Sequence, residues 1–222
     1  MHNIIDILKT LLADPIQLMD WIQSHGGLYI VLFIIFAETG LFLGFFLPGD
    51  SLLFITGIII ANSKAPFDGA FMNLTYWILL IVTGAFIGNL VGYWVGRESG
   101  HLWFEKKDTF FFKKKHLIQA HDYFEEKGSF AIILGRFLPI VRTFTPIVAG
   151  IVNMSFKKFI LYSLAGGFAW VISMIMAGYL LGKNEFVIHN IDKITIGLIL
   201  ITTGPVIFKM IFGKKKNVPN QG

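Results

Sequence analysis

The sequence predicts an all-α polytopic membrane protein. It should be built as an inverted repeat of a re-entrant hairpin plus a transmembrane helix, with an additional C-terminal transmembrane helix and an N-terminal amphipathic helix. Three observations lead there. Apolar residues make up 55% of the 222 residues and charged residues only 15%. Together with a mean hydropathy of +0.67, this is the composition of a chain that lives in hydrocarbon. Two of the apolar stretches are interrupted by prolines and ionisable side chains, which a plain span excludes. Short motifs then recur in the same order downstream of both interruptions.

Residues 1–25 carry Asp6, Lys9, Asp14 and Asp20 among apolar residues, with Ile4, Ile5, Leu8, Leu11 and Leu12 at helical spacing. They are expected to form an amphipathic interfacial helix rather than a signal peptide, because no cationic region leads an apolar one. Residues 26–213 form the membrane domain. Its first apolar stretch, 27–61, is broken by Glu38-Thr39-Gly40 and by Pro48-Gly49-Asp50, and reads as re-entrant. If it is, the N-terminal helix lies on the outer side; if 27–46 crosses fully, that helix lies on the cytoplasmic side. Residues 63–75 are polar enough for a short external loop.

A transmembrane helix is expected over 76–97. Gly84, Gly88, Gly92 and Gly96 recur at every fourth position, giving one face where another backbone can approach closely. This ladder suits internal packing or a homo-oligomer seam equally, and Asn89 could bond across helices there. Residues 98–127 interleave lysines (Lys106, Lys107, Lys113, Lys114, Lys115, Lys127) with phenylalanines (Phe104, Phe110, Phe111, Phe112, Phe124). That pattern suits an amphipathic segment on a membrane surface. Glu105, Glu125 and Glu126 intervene, which argues against a nucleic-acid interface.

The stretch 128–151, GSFAIILGRFLPIVRTFTPIVAGI, is the most informative. It is apolar almost throughout, yet holds Arg136, Arg142, Pro139 and Pro146. An arginine at the bilayer centre costs roughly 2.5–3.5 kcal/mol on insertion scales. Broken backbone at that depth is tolerated only where protein covers it or a wet cavity adjoins it. The stretch therefore reads as a second re-entrant segment presenting positive charge inward; the plainer alternative is a loop with headgroup arginines. Spans follow at 159–182 and 194–212, then a basic tail, 214–222. The lysines of 97–127, Lys157–Lys158 and Lys214–Lys216 should share the cytoplasmic side, which places the C-terminus there.

The two broken stretches match. Phe46-Leu47-Pro48 corresponds to Phe137-Leu138-Pro139, and downstream Gly92-Tyr93-Trp94-Val95-Gly96-Arg97 corresponds to Gly178-Tyr179-Leu180-Leu181-Gly182-Lys183. A hairpin returns the chain to its starting side and one helix then crosses, so the second unit must be inverted relative to the first. Paired, interrupted segments of this kind point to a transporter's midplane site. Pro48, Gly49, Pro139 and Pro146 mark the expected hairpin breaks. The first hairpin brings Glu38 and Asp50; the second brings Arg136 and Arg142. Facing one another, two carboxylates and two guanidiniums would bring net charge near zero and reduce the burial cost. Arginine's planar fork suits phosphate, and a partly dry carboxylate beside it can carry a proton. A static ion-pair lock would account for the same charges without transport.

The stretches ETGLFLGFFLPGDSLLF (38–54) and GRFLPIVRTFTPIVAGIVNMSFKKF (135–159), with GNLVGYWVGR between them, resemble the DedA family of bacterial membrane proteins, relatives of the eukaryotic VTT-domain lipid scramblases. The resemblance covers roughly residues 25–215 and keeps the family's acidic pair on Glu38 and Asp50 and its basic pair on Arg136 and Arg142. It implies two opposed re-entrant hairpins and movement of a lipid between leaflets, with undecaprenyl phosphate and phosphatidylethanolamine as the lipids linked to family members. Dependence on the proton-motive force is a further implication.

The leading expectation is a flippase- or scramblase-type lipid transporter, with Arg136 and Arg142 binding the lipid phosphate and Glu38 and Asp50 as the proton-coupling, ion-pairing groups. The alternatives are an ion-coupled small-solute antiporter and a structural scaffold. A membrane enzyme is disfavoured. There is no cysteine, so thiolate nucleophiles, thiolate metal sites and disulfides are excluded, and none of the six histidines lies near the charged motifs or at zincin spacing. No metal or cofactor is expected; the partners are membrane lipids and protons, with no nucleic acid.

Overall fold

The computed structural model describes residues 19, 22, 27–40, 49–62, 66–105, 130–191, 193–194 and 197. The described residues form helices and connecting turns. They are α1 (Leu28–Gly40), α2 (Gly49–Asn62), α3 (Ala70–Glu105), α4 (Phe130–Gly135), α5 (Pro139–Ile151), α6 (Phe156–Leu181) and α7 (Glu185–His189). The expected N-terminal helix, Pro48, most of the basic amphipathic segment, the last span and the tail lie outside the described residues.

Among the described residues, only α3 and α6 are long and apolar enough to cross a bilayer. At 1.5 Å per residue, α1, α2 and α5 are each about 20 Å long, short of the roughly 30 Å hydrocarbon thickness. Among the described residues, the interrupted stretches form short helices, α1 and α2 in the first and α4 and α5 in the second. α5 begins at Pro139, where the ring's fixed φ and missing N–H are harmless. The chain reaches it through a tight turn: Arg136 N–H donates to the Ile133 carbonyl at 3.2 Å and Leu138 N–H to the Gly135 carbonyl at 3.2 Å. α5 ends before Asn153, whose φ of 52° lies in the left-handed region that asparagine tolerates after a helix.

Two expectations need correction. Pro146 does not break its segment, since α5 runs through it. Its consequence is local: residue 146 offers no N–H to the Arg142 carbonyl one turn earlier. The first long helix also exceeds its expected 76–97 bounds at both ends. Polar composition in 63–75 suggested a loop, but the helix already starts at Ala70, and Asn73 N–H bonds the Gly69 carbonyl at 2.9 Å. Past Arg97 no proline intervenes, so the helix continues to Glu105. The connection after α6 contains α7, capped by the Asn184 side chain accepting from Phe186 N–H at 2.9 Å.

Packing is crossed. α1 lies on α3 and α4 on α6, while α2 packs chiefly on α6 and α5 chiefly on α3. The glycine ladder makes the α3 contacts. A Cβ at Gly84 or Gly88 would overlap Leu32, or Thr39 and Phe36, of α1; at Gly92 or Gly96 it would press on Pro146 or Ile147 of α5. These four glycines therefore serve contacts within one chain. Gly57 and Gly178 do the same where α2 meets α6. The main core gathers Val31, Ile35, Leu53, Ile55, Ile81, Trp170 and Ile175, and a second core forms around Tyr93, Ile132 and Phe159.

The surface is inverted relative to a water-soluble protein. Phe33, Phe71, Leu79, Ile87, Leu161 and Leu180 are exposed, while Glu38, Asp50, Asn89, Arg136, Arg142 and Ser163 are buried. In α5 the inversion occurs within a single turn: Val141 and Phe144 face out, Arg142, Thr143 and Thr145 face in. Aromatic groups mark both ends of the exposed apolar band. Tyr29, Tyr76, Trp77 and Phe67 pack edge to face at one end, and Trp94 with Phe156 at the other. The rise of α3 between Tyr76 and Trp94 is about 27 Å, close to a bilayer's hydrocarbon thickness.

Candidate functional site

The ends of the short helices converge on one buried cluster. Glu38 sits in the last turn of α1, whose close approach to α3 is set by Gly88. Thr39, next to it, donates to the Ile35 carbonyl at 2.9 Å and to the Ala85 carbonyl of α3 at 3.3 Å, so the α1 terminus reaches α3 midway between its two aromatic ends. Asp50 occupies the first turn of α2, where the helix dipole favours a carboxylate. Arg142 lies near the start of α5, where the dipole opposes a cation, so its burial depends on nearby negative charge.

That charge comes from two directions. Arg142 Nη2 donates to Glu38 Oε1 at 2.5 Å and Arg142 Nη1 donates to Asp50 Oδ1 at 2.6 Å. All three groups are buried, with Arg142 1% exposed and Glu38 0%. Taking such ions out of water costs several kcal/mol each, which close geometry and further hydrogen bonds must offset. Some of the offset comes from Trp170 of α6. Its Nε1–H donates to Asp50 Oδ1 at 2.7 Å, and its ring lies 4.1 Å from the Arg142 guanidinium carbon, well inside the range of a cation–π contact.

The second guanidinium is held differently. Arg136 comes from the turn between α4 and α5, and its stem runs past Gly166, where a Cβ would meet it. Its Nη2 donates to Ser163 Oγ at 2.8 Å, and the side chain is 2% exposed. The expected facing of two carboxylates with two arginines thus takes an unequal form: both carboxylates bind Arg142, and Arg136 binds a hydroxyl. Among the described residues, Arg136 Nη1, Arg142 Nε and Glu38 Oε2 have no hydrogen-bond partner. Buried polar atoms in that condition cost roughly 1–3 kcal/mol each, more when charged. Gly49, expected as a hairpin break, has another use here, because a Cβ there would overlap the Glu38 carboxyl group. Pro139 starts α5, and Pro146 lies in its inner face against Gly92.

Sequence reasoning passed over Trp170 and Ser163. Both had a legible signal. A tryptophan in mid-span is away from the interfacial level where its N–H is usually satisfied, and a serine seven positions earlier on α6 falls on nearly the same face. No group of three or more His, Cys, Asp or Glu side chains suited to a metal ion occurs among the described residues.

Known proteins resemble this chain over nearly all its length. The VTT domain family model matches residues 47–180, a range that takes in Asp50, Arg136, Arg142, Ser163 and Trp170. Protein DedA of Escherichia coli (strain K12) is 34% identical over 211 residues, covering 94% of each chain. The uncharacterized membrane protein ML0287 of Mycobacterium leprae is 36% identical over 201 residues, covering 87% of this chain and 85% of its own. The inner membrane protein YqjA of Escherichia coli (strain K12) is 32% identical over 214 residues, covering 96% and 92%. No solved structure matches. With an all-helical arrangement among the described residues, an apolar exterior and these matches, the chain belongs to the DedA family of membrane proteins and is built around a VTT domain.

Proposed function

We propose that this protein moves a phosphate-bearing lipid between the leaflets of a bacterial cytoplasmic membrane, coupled to protons. The observation that carries the reading is Arg136: a buried guanidinium that, among the described residues, has no carboxylate on it and whose Nη1 lacks an acceptor. A phosphate oxygen would satisfy that donor and balance its charge, and arginine's fork fits phosphate geometry. Undecaprenyl phosphate and phospholipids such as phosphatidylethanolamine share the required headgroup. The acyl or prenyl chain stays in the bilayer while the headgroup passes along the buried polar faces of α5 and α6.

Arg142 is the switched donor. With Glu38 and Asp50 ionised, both of its Nη groups are engaged. Protonating a carboxylate frees part of its fork for the phosphate, and deprotonation restores the ion pair and ejects the headgroup. The crossed packing, in which each hairpin's second arm lies on the other half's long helix, supports an inverted repeat of re-entrant units. The contact of Thr39 with Ala85 supports a mid-depth position for the exchange.

The test is transfer of fluorescent phospholipid or polyprenyl phosphate across vesicles carrying the purified protein. Arg136→Ala and Arg142→Ala should each abolish transfer; parental rates in both would overturn the mechanism. Proton flux in vesicles free of either lipid would favour the ion-coupled antiporter, which could use the same buried acids.

A further inference from the structure

The indole of Trp170 touches both members of an ion pair. It is fully buried, so its N–H needs an acceptor. It uses a carboxylate oxygen that already accepts from Arg142, although a neutral carbonyl would satisfy the donor. Its electron-rich face meanwhile lies on the guanidinium of the same pair. Donor edge toward the anion and π face toward the cation is the one orientation in which an indole stabilises both charges at once. A tryptophan present only to fill the core would have no need of either contact.

Trp170 is also the contribution of a fourth helix to the cluster. Glu38, Asp50 and Arg142 come from α1, α2 and α5; Trp170 comes from α6. Ser163, which holds Arg136, lies two turns away on the same helix, a rise of about 10 Å. One rigid element therefore sets the position of both guanidinium sites.

We infer that Trp170 is a positioning residue: its N–H fixes Asp50 on Arg142 and so sets how strongly the carboxylates compete with an incoming phosphate for that arginine. The functional part of this rests on the transport reading above; the contact itself does not. The sign follows from the competition. Losing the N–H weakens the carboxylate competitor, so phosphate is bound more tightly and released more slowly. Trp170→Phe keeps an aromatic face for Arg142 and removes the donor, together with part of the buried ring volume.

Two measurements test the inference. The full-length protein in lipid nanodiscs, labelled with 15N at the indole nitrogens, should give one signal for each of its five tryptophans, with that of Trp170 assigned by its loss in Trp170→Phe. Asp50→Asn should move the Trp170 signal and leave that of Trp94, which is about half exposed and packs on Phe156, in place. If Asp50→Asn disturbs every signal, Asp50→Glu, which keeps the charge and moves the oxygen, should shift Trp170 selectively. A Trp170 signal indifferent to Asp50 overturns the inference whether or not the protein transports lipid. In the vesicle assay with polyprenyl phosphate, Trp170→Phe should lower both the maximal rate and the half-saturating lipid concentration by about tenfold, the scale of one hydrogen bond to a charged group. General structural damage would lower the rate without tightening binding. An unchanged or raised half-saturation would overturn the competition. Absence of transfer by the parent protein would remove the transport reading and leave the spectroscopic result to decide the contact.

Discussion

Removing Arg142 while keeping both carboxylates separates a working gate from a static clasp. In Arg142→Met the side-chain volume is roughly kept, but Glu38 Oε1 and Asp50 Oδ1 lose donors at 2.5 and 2.6 Å, and two buried acids are left without their shared cation. Breaking a buried pair from one side costs about 3–5 kcal/mol. For a chain of this size each kcal/mol corresponds to about 2–4 °C in Tm, so the variant should melt about 6–20 °C below the parent. Neutralising all three groups together (Glu38→Gln, Asp50→Asn, Arg142→Met) removes the stranded charges and should restore most of that loss. The assay is thermal melting followed by size-exclusion fluorescence in detergent, alongside lipid transfer in vesicles. A single variant melting within about 2 °C of the parent would refute the energetic account. A triple variant that regained both stability and transfer would refute the gate and leave a structural lock.

Further outcomes follow from the same contacts. Gly49→Ala forces the Glu38 carboxyl to move and should cost about 1–3 kcal/mol, read as a lower Tm, with transfer reduced in parallel. Ser163→Ala leaves Arg136 Nη2 without its acceptor and should cost about 1–3 kcal/mol; added polyprenyl phosphate should restore more Tm in this variant than in the parent. Gly88→Val should separate α1 from α3 by colliding with Thr39 and Phe36, with a loss of about 1–3 kcal/mol in melting. Pro146→Ala supplies the N–H that the Arg142 carbonyl lacks and should leave the Tm unchanged or raise it, by up to about 3 kcal/mol of stability.

The large features of the fold were legible because they follow from composition and covalent limits. Pro139 and the charges around it announced a broken segment, and α5 does begin at that proline. The spacing of Gly84, Gly88, Gly92 and Gly96 announced close helix contact, though not with which partner; α1 takes one half of the ladder and α5 the other. Helix ends were harder to read, since nothing in Arg97-Glu98-Ser99 stops a helix that polarity alone had ended. Pro146 misled for a related reason. A proline's cost is fixed locally, but neighbouring packing decides whether the helix bends, and here Gly92 leaves room for the ring. At the site, Glu38, Asp50 and Arg142 were readable as opposite charges in matching segments. Their unequal partition was not, because Ser163 and Trp170 act through directed N–H and O–H groups, which hydropathy does not register.

Because α3 spends its small-residue face on α1 and α5, any second copy of the protein would have to dock elsewhere. The outward-facing side of α3 carries Leu79 and Ile87, and α1 offers Phe33. Bulky side chains keep helix axes apart and form a seam that surrounding lipid can readily replace. Self-association by that route would vary with lipid composition and dilution, and cysteines introduced in place of Phe33 or Leu79 would crosslink between subunits where a cysteine in place of Gly88 would not.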